Sequence, residues 1–366
     1  MDEKLIVIAV DSFASAQVLQ TYLEANGIKC FLQNVNLVQS AVSDGVKVQI
    51  KESDAERALK LISKVKLEQE AVKVVNPRKI LVPVDFSQPS ENAAYFALGL
   101  AHKYGAEIKL LHVFNSPIID LIPFSDVTTI QIDIDVSYHI LHKNAKEQLL
   151  KFHAKVKSYA NQHGMGDVRV GYALREGVAS YGITEMSNQY KPSFIVMGTK
   201  GEGFRNTELV GSVAKDVLES TRIPVLAIPE SAKMVDSTQV RKVLYATRFD
   251  DYDFMAIRKL MNIVSPFSAQ IHCVNVSSDA DSSLAKAKMA SLETYFKRVA
   301  RKTHVICEIV EGKNMVETFT DYVKENGIDL IAITTQKRNL IYKIFNPSLS
   351  RRLLFESDIP VLMFHA

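Results

Sequence analysis

The sequence predicts an α/β protein with two tandem parallel-sheet domains and a small α+β domain before them. The segments that open with RKILVPVDFS and RKVLYATRFD share an Arg-Lys start and a first strand, and they close alike in IPVLAIP and IPVLMFH. An internal repeat of this kind indicates two copies of one domain. Within each copy, short runs rich in valine, isoleucine and leucine alternate with helical patterns. Parallel strands that helices cover on both faces require that pattern.

The first 70 residues have a different order of elements. KLIVIAV reads as a strand and DSFASAQVLQTYLEANG as a helix that Gly27 ends. IKCFLQ and VKVQI are two further strand-like runs, and KESDAERALKLISKV is an amphipathic helix. The order βαββα predicts a small ferredoxin-like α+β domain over residues 1–70, followed by a linker that Asn76-Pro77 closes.

In the first repeat, five strand-like runs alternate with helices. KILVPV, EIKLLHVF, VRVGYAL, SFIVMG and IPVLAIP are the strands, and a helix is expected from about residue 139 to 163. The pattern predicts a doubly wound, Rossmann-like domain with a five-stranded parallel sheet over residues 78–230. A second such domain is predicted over residues 240–366. In such sheets the ligand crevice lies beyond the carboxyl ends of the strands.

The two repeats differ in length. Their ends are offset by 360 − 224 = 136 positions (Pro360 and Pro224), and their starts by 243 − 80 = 163 positions (Val243 and Ile80). The first repeat therefore carries 163 − 136 = 27 extra residues. We place them in a loop over residues 115–138 and expect this loop to form a mobile flap beside the crevice.

Three spaced glycines mark the predicted crevice. Gly198 and Gly201 follow the strand SFIVM, and Gly211 and Ser212 stand at the start of the helix SVAKDVLES. Glycine lets backbone N–H groups approach a ligand, and a helix N-terminus favours phosphate oxygens. Ser212 could cap the helix or donate its hydroxyl to a phosphate. The pattern indicates a polyphosphate site, and the alternative is a glycine-rich turn that only caps one helix.

The spacing Gly198-x2-Gly201-x9-Gly211-Ser212, together with VPVDFS and LLHVF, resembles the ATP-binding signature of universal stress proteins. The resemblance covers residues 78–366 as two tandem copies, and it implies a site for ATP or another adenine nucleotide, with Mg²⁺ as an accompanying ion. It implies that Asp85 contacts adenine. From the residues alone, Asp85 could instead cap the helix that follows it. The resemblance implies that the adenine and the ribose contact Pro83, Val84, Asp85 and Val113. It implies that the ribose and the phosphates are surrounded by Met197, Gly198, Thr199 and Gly201, and that the phosphate chain contacts Gly211, Ser212 and Val213.

The second repeat departs from the signature. Threonine, lysine and proline (Thr334, Lys337 and Pro347) replace the three glycines, Arg248 replaces the aspartate, and only the serine remains, as Ser348. Proline removes a backbone donor, and the other side chains bring Cβ atoms into the approach path. We therefore expect no nucleotide here, although the cationic residues Arg248, Lys337 and Arg338 could mark a different anion site.

The retained end of the second repeat indicates a pairing role. IPVLAIP and IPVLMFH close the two repeats, and an exposed apolar edge strand needs a cover. Universal stress proteins commonly pair through their final strands. The resemblance therefore implies that residues 223–228 and 359–364 associate within one chain, and a homo-oligomer of the full chain stays open.

The resemblance implies a stress-response or signalling protein rather than a turnover enzyme. Weak ATP hydrolysis or autophosphorylation is the most that is expected, because the sequence offers no clear general base or magnesium carboxylate. One alternative is a scaffold with a vestigial site. Another is a nucleotide-using enzyme on a related fold, but HxGH, SGGxDS and GxxxxGK[ST] strings do not occur. The sequence does not select among ATP, AMP and cyclic adenine nucleotides.

Net charge, the N-terminal sequence and the cysteines limit which binding partners and which cellular compartment are expected. A formal net charge of +3 gives no reason to expect nucleic acid or an anionic membrane as a partner. The start MDEKLIVIAVDSF lacks the basic residues of a signal peptide, so a cytoplasmic protein is expected. The three cysteines Cys30, Cys273 and Cys307 form no CxxC motif, and they are interpreted as small buried apolar residues in a reducing compartment.

Overall fold

The computed structural model divides the chain into two compact units. It describes residues 4–11, 13–34, 46–68, 78–115, 127–199, 211–230, 240–249, 252–280, 282–299, 303–335 and 359–365. The smaller unit comprises Met1–Val75, Tyr245–Met261 and Gln270–Phe319, and the larger comprises Asn76–Leu244, Asn262–Ala269 and Thr320–Ala366.

The N-terminal part of the smaller unit is the predicted small α+β domain. Its elements are β1 (Leu5–Asp11), α1 (Phe13–Ala25), β2 (Cys30–Asn34), β3 (Val46–Lys51) and α2 (Ala55–Glu68). The three strands form an antiparallel sheet in the order β1-β3-β2. Gly27 ends the first helical segment with φ at +77°, a conformation that glycine adopts without strain. The βαββα order is confirmed.

The first repeat lies in the larger unit and has the predicted five-stranded parallel sheet. Its strands run in the order β8-β7-β4-β5-β6, and each neighbouring pair is parallel. This is the doubly wound arrangement, with the first strand of the repeat in the middle. The elements are β4 (Lys79–Pro83), α3 (Gln88–Tyr104), β5 (Glu107–Phe114), α4 (Val127–Gln162), β6 (Val170–Glu176), α5 (Ala179–Tyr190), β7 (Phe194–Gly198), α6 (Ser212–Ser220) and β8 (Val225–Ile228).

The second repeat has the same strand order, β11-β10-β9-β12-β13. The division between the two compact units falls inside β9. The described elements are β9 (Lys242–Ala246), α7 (Tyr252–Val264), β10 (Gln270–Ser277), α8 (Ser283–Val299), β11 (Val305–Glu311), α9 (Met315–Asn326), β12 (Leu330–Thr335) and β13 (Val361–His365). Two copies of one strand order are what the sequence repeat predicts.

The final strands of the two repeats are neighbours in the larger unit. β8 pairs with β13 in antiparallel fashion, with Val225 opposite Met363, Leu226 opposite Leu362 and Ala227 opposite Val361. All six side chains are at most 3% exposed. The contact therefore combines main-chain hydrogen bonding with apolar burial.

The helix α4 is longer than the sequence indicates. It begins at Val127 and runs for 36 residues, so residues 127–138 are helical where a loop was expected. The run TTIQIDIDV alternates apolar and polar residues and is rich in threonine and isoleucine, which have modest helix propensity. Because of this local pattern, the sequence does not indicate a helix over residues 127–138. The remainder of the expected flap, residues 116–126, lies outside the described residues.

Candidate functional site

The predicted site positions on β4, β5 and β7 that the structure describes lie at one edge of the first-repeat sheet. β4 and β7 are adjacent parallel strands, with Ile80 opposite Phe194, and they end at Pro83 and Gly198. β5 lies on the other side of β4 and ends at Phe114. Carboxyl ends of parallel strands meet at the same edge of a sheet. The geometry therefore brings the β4, β5 and β7 segments of the predicted site together.

Asp85 lies in the turn between β4 and α3. Its carboxylate oxygen Oδ1 accepts hydrogen bonds from the Ser87 backbone N–H at 3.2 Å and from the Ser87 hydroxyl at 2.5 Å. Ser87 is the N-cap of α3, and its side chain accepts from the Ser90 N–H at 3.4 Å. Asp85 thus orients the capping serine and is not itself the N-cap.

The turn after β4 is held by an aromatic contact that the sequence analysis does not predict. The His112 ring nitrogen Nδ1 lies 2.8 Å from the Val84 carbonyl oxygen. Because a carbonyl oxygen only accepts, this ring nitrogen carries the proton. The His112 ring also contacts Phe86, with ring centroids 4.3 Å apart. Phe86 has φ at 67°, a left-handed conformation that few non-glycine residues adopt. His112 and Phe86 together fix the backbone beside Asp85.

Gly198 at the end of β7 is required for packing. A Cβ atom at this position would lie 2.9 Å from the Pro89 carbonyl carbon and 2.9 Å from the Pro89 Cβ. Such distances are shorter than real Cβ contacts, and one of the atoms belongs to backbone. The first turn of α3 therefore packs directly on the end of β7. This is a different reason for a glycine from the ligand approach that the sequence suggests.

The start of α6 is tied to the segment after β7. The Gly211 N–H donates to the Thr199 carbonyl at 2.8 Å, and the Thr199 N–H donates to the Ile228 carbonyl at 3.0 Å. Gly211 is the N-cap and makes no side-chain cap, so Ser212 occupies the first helical position instead of capping the helix. Ser212 and Val213 are exposed, whereas Thr199 is 2% exposed. Gly201 lies outside the described residues.

Val113 and Met197 lie on the strands beside the turn. Val113 is half-buried in β5, and a Cβ on Gly182 of α5 would lie 3.0 Å from its Cγ2 atom. One face of the Val113 side chain therefore packs on α5. Met197 is buried near the end of β7. Both occupy the edge at which the sequence analysis expects the adenine and the ribose.

The second repeat keeps the backbone of this turn and changes its side chains. The Thr247 N–H donates to the Val274 carbonyl at 2.9 Å, as the Val84 N–H does to Leu111 at 2.8 Å. The Asn275 side chain donates to the Thr247 carbonyl at 2.9 Å, in the position of His112. Phe249 has φ at 61°, as Phe86 has 67°. The exposed Arg248 stands where the first repeat has Asp85.

A buried carboxyl group further distinguishes the second repeat. Asp253 is 1% exposed. Its two oxygens accept hydrogen bonds from the Tyr245 hydroxyl and the Thr247 hydroxyl, each at 2.6 Å. The first repeat has Ser90 at this position, 163 residues earlier. Thr334, in the place of Gly198, is 7% exposed, and Lys337, Arg338, Pro347 and Ser348 lie outside the described residues.

The described part of the chain offers neither a cluster of metal ligands nor a membrane-spanning helix. No group of three or more His, Cys, Asp or Glu side chains there could hold a metal ion. No helix there is both long and apolar enough to span a membrane.

A doubly wound parallel sheet with a helix N-terminus at its carboxyl edge is typical of Rossmann-like α/β proteins. Comparison with known proteins identifies the family. Residues 76–229 and 239–365 both match the universal stress protein family. The chain belongs to this family.

Relatives and solved structures agree with this assignment. Universal stress protein MJ0531 from Methanocaldococcus jannaschii is 30% identical over 156 residues, which are 43% of this chain and 84% of that protein. Universal stress protein Sll1654 from Synechocystis is 25% identical over 159 residues, which are 43% of this chain and 88% of that protein. The crystal structure of a universal stress protein from Archaeoglobus fulgidus has a TM-score of 0.60 and 21% identity, and it covers 80% of this chain and 98% of that chain. The structural likeness shows the fold alone.

Proposed function

We propose that the first repeat binds one adenine nucleotide, with ATP as the leading candidate, at the carboxyl edge of its sheet. One observation carries the proposal: the hydrogen bond from Gly211 N–H to the Thr199 carbonyl, 2.8 Å long, holds the start of α6 against the end of β7. The exposed Ser212 and Val213 then present the first turn of the helix to solvent. Unpaired N–H groups and the positive end of the helix dipole favour phosphate oxygens.

The remaining residues have proposed roles around that phosphate site. The turn after β4, which the bond from His112 to the Val84 carbonyl fixes, supports contacts from Pro83, Val84 and Asp85 to the adenine. Val113 lines the same end of the pocket. Met197, Thr199 and Gly201 lie around the ribose and phosphates, and Mg²⁺ would be bound through phosphate oxygens. Gly198 contributes through its packing against Pro89.

The second repeat is proposed to bind no nucleotide and to serve intramolecular pairing. Arg248 replaces the aspartate, and Thr334 puts a Cβ where the first repeat has none. The antiparallel register of β8 and β13 supports the pairing role. In this proposal the domains are 1–70, 78–230 and 240–366, and the chain works in the cytoplasm in stress response or signalling with little or no turnover of ATP.

A further universal stress protein has been solved in complex with cAMP, at 19% identity and a TM-score of 0.31. That ligand is a fact about that protein, and at this similarity it carries no argument for the present chain. Cyclic adenine nucleotides are included among the ligands to be titrated because the sequence does not select among ATP, AMP and cyclic adenine nucleotides.

Isothermal titration of the full chain with ATP, AMP and cAMP tests the proposal. We expect one site per chain, and we expect Gly211→Val to abolish binding because a branched side chain would enter the phosphate path. The Gly211 backbone has φ at −62° and ψ at 149°, which valine adopts, so the variant should keep its circular dichroism spectrum. Arg248→Ala is the control and should bind as the parent does. Two equivalent sites would overturn the proposal, and no binding would favour the scaffold with a vestigial site.

A further inference from the structure

Cys273 and Cys307 face each other on neighbouring strands. β10 and β11 are parallel, and their register places Cys273 directly opposite Cys307. The two thiols lie close enough to influence each other, and both are free cysteines. The two positions are 34 residues apart in sequence, and nothing in the local pattern indicates that they meet.

The backbone spacing suits a disulfide. Neighbouring strands in a sheet lie about 4.8 Å apart, and disulfides join Cα atoms that are about 4.4–6.8 Å apart. Residues directly opposite in a parallel ladder have side chains on the same face of the sheet. A bond between these sulfurs therefore requires side-chain rotation and a small local adjustment, with no change of register.

The two thiols have different surroundings. Cys273 is 0% exposed, and burial raises its pKa well above the usual value. Cys307 is partly exposed on β11, which is the last strand of the sheet among the described residues. Cys307 is therefore the thiol of the pair that a peroxide from solvent can reach.

We propose that Cys273 and Cys307 form a redox pair that a hydroperoxide oxidises to an intramolecular disulfide and that a dithiol reduces again by thiol–disulfide exchange. The Cys307 thiolate attacks one peroxide oxygen, the O–O bond breaks, and sulfenic acid and hydroxide form. The Cys273 thiol then attacks the Cys307 sulfur, the S–O bond breaks, and water leaves. In total two thiols and one hydrogen peroxide give one disulfide and two waters, so the two electrons lost by sulfur reduce the peroxide.

The helix α8 connects the cysteine pair to the N-terminal domain, so a disulfide on β11 can affect that domain. Within the smaller unit, α8 packs against both β11 and α2. Leu284 and Ala287 of α8 pack on the core of the N-terminal domain, and the Ser291 hydroxyl donates to the Leu59 carbonyl at 3.2 Å. A disulfide between Cys307 and Cys273 would hold β11 to β10, and β11 is the strand against which α8 packs.

Thiol counting and peptide mapping of the full chain test the proposal. The probe is hydrogen peroxide, and free cysteine in the same buffer confirms that oxidation occurs. The parent chain should fall from three free thiols to one, counted after denaturation, and dithiothreitol should restore three. Mass spectrometry should find tryptic peptides 260–286 and 303–313 joined, with the Cys30 peptide still alkylated.

Cysteine variants distinguish the thiol that reacts with peroxide, Cys307, from the thiol that then attacks the sulfenic acid, Cys273. Cys307→Ser should keep both remaining thiols, because Cys30 and Cys273 are buried. Cys273→Ser should yield a dimedone-trapped sulfenic acid on peptide 303–313. Cys30→Ser, the control, should lose both remaining thiols. The proposal is wrong if the parent chain keeps three thiols, if Cys30 is consumed, or if the disulfide joins two chains. The mapping of the parent chain decides this even if a variant fails to fold.

Discussion

Gly198 and Pro89 lie so close that no side chain fits between them. A Cβ atom on Gly198 would be 2.9 Å from both the carbonyl carbon and the Cβ of Pro89. The residues are 109 positions apart in sequence, and their contact sets how near the start of α3 approaches the end of β7. One glycine of the nucleotide signature therefore carries a packing requirement that is separate from ligand binding.

Gly198→Ala should lower the free energy of unfolding by about 1–3 kcal/mol, because the added methyl group overpacks a contact with backbone. Urea unfolding followed by circular dichroism measures the change. Gly171→Ala is the matched control. Its Cβ would lie 3.8 Å from the Ile108 carbonyl oxygen, an ordinary contact, so a change under about 1 kcal/mol is expected. Equal stability of both variants would show that the close contact is not a packing constraint.

Asp85→Ala and Ser87→Ala together separate adenine binding from helix capping. Ser87→Ala removes the N-cap and should cost about 1 kcal/mol of stability while keeping the carboxylate. If Asp85 contacts adenine, Asp85→Ala should weaken ATP binding in isothermal titration, and Ser87→Ala should bind nearly as the parent does. Loss of stability in both variants with unchanged affinity would reduce Asp85 to an orienting residue of the turn.

Asp253→Ala should be strongly destabilising, because it leaves the buried hydroxyls of Tyr245 and Thr247 without the carboxyl oxygens that accept from them. We expect a loss of about 2–4 kcal/mol in urea unfolding. The matched change in the first repeat is Ser90→Ala, which removes one bond to the Ser87 carbonyl at 2.9 Å and should cost about 1 kcal/mol. Similar losses in both variants would contradict a structural role for the Asp253 network.

The raised pKa of Cys30 predicts that the free energy of unfolding falls at alkaline pH. Burial, with smaller contributions from Glu24 and Asp54, raises the pKa of Cys30 from 9.0 to about 11. The unfolded chain loses this proton first, so the stability contribution is complete below about pH 9 and is lost as the pH rises towards 11. The measurement is the difference in free energy of unfolding between the parent and Cys30→Ala at pH 8 and pH 10.5. The difference should shrink at the higher pH, and a constant difference would argue against the raised pKa.

The sequence predicts the doubly wound parallel sheet well, because the fold depends on local patterns, and the location of the site stays a prediction. Runs of apolar residues mark the strands, and a strand followed by Gly198 and a helix that begins at Ser212 mark the edge. The contacts that refine the site join distant residues. His112 reaches the Val84 carbonyl, Pro89 excludes a side chain at Gly198, and the cysteines of β10 and β11 meet only through register. No local spacing encodes those distances.

The antiparallel contact between β8 and β13 has a consequence for how the protein responds to dilution. Strands that pair between two chains separate as the concentration falls, whereas strands on one chain meet at an effective concentration that the tether sets. The edge at Val225 opposite Met363 therefore stays covered at any abundance of the protein. Under the proposed pairing role, the second repeat can therefore carry Arg248 and Thr334 in place of Asp85 and Gly198 and still cover the edge of β8.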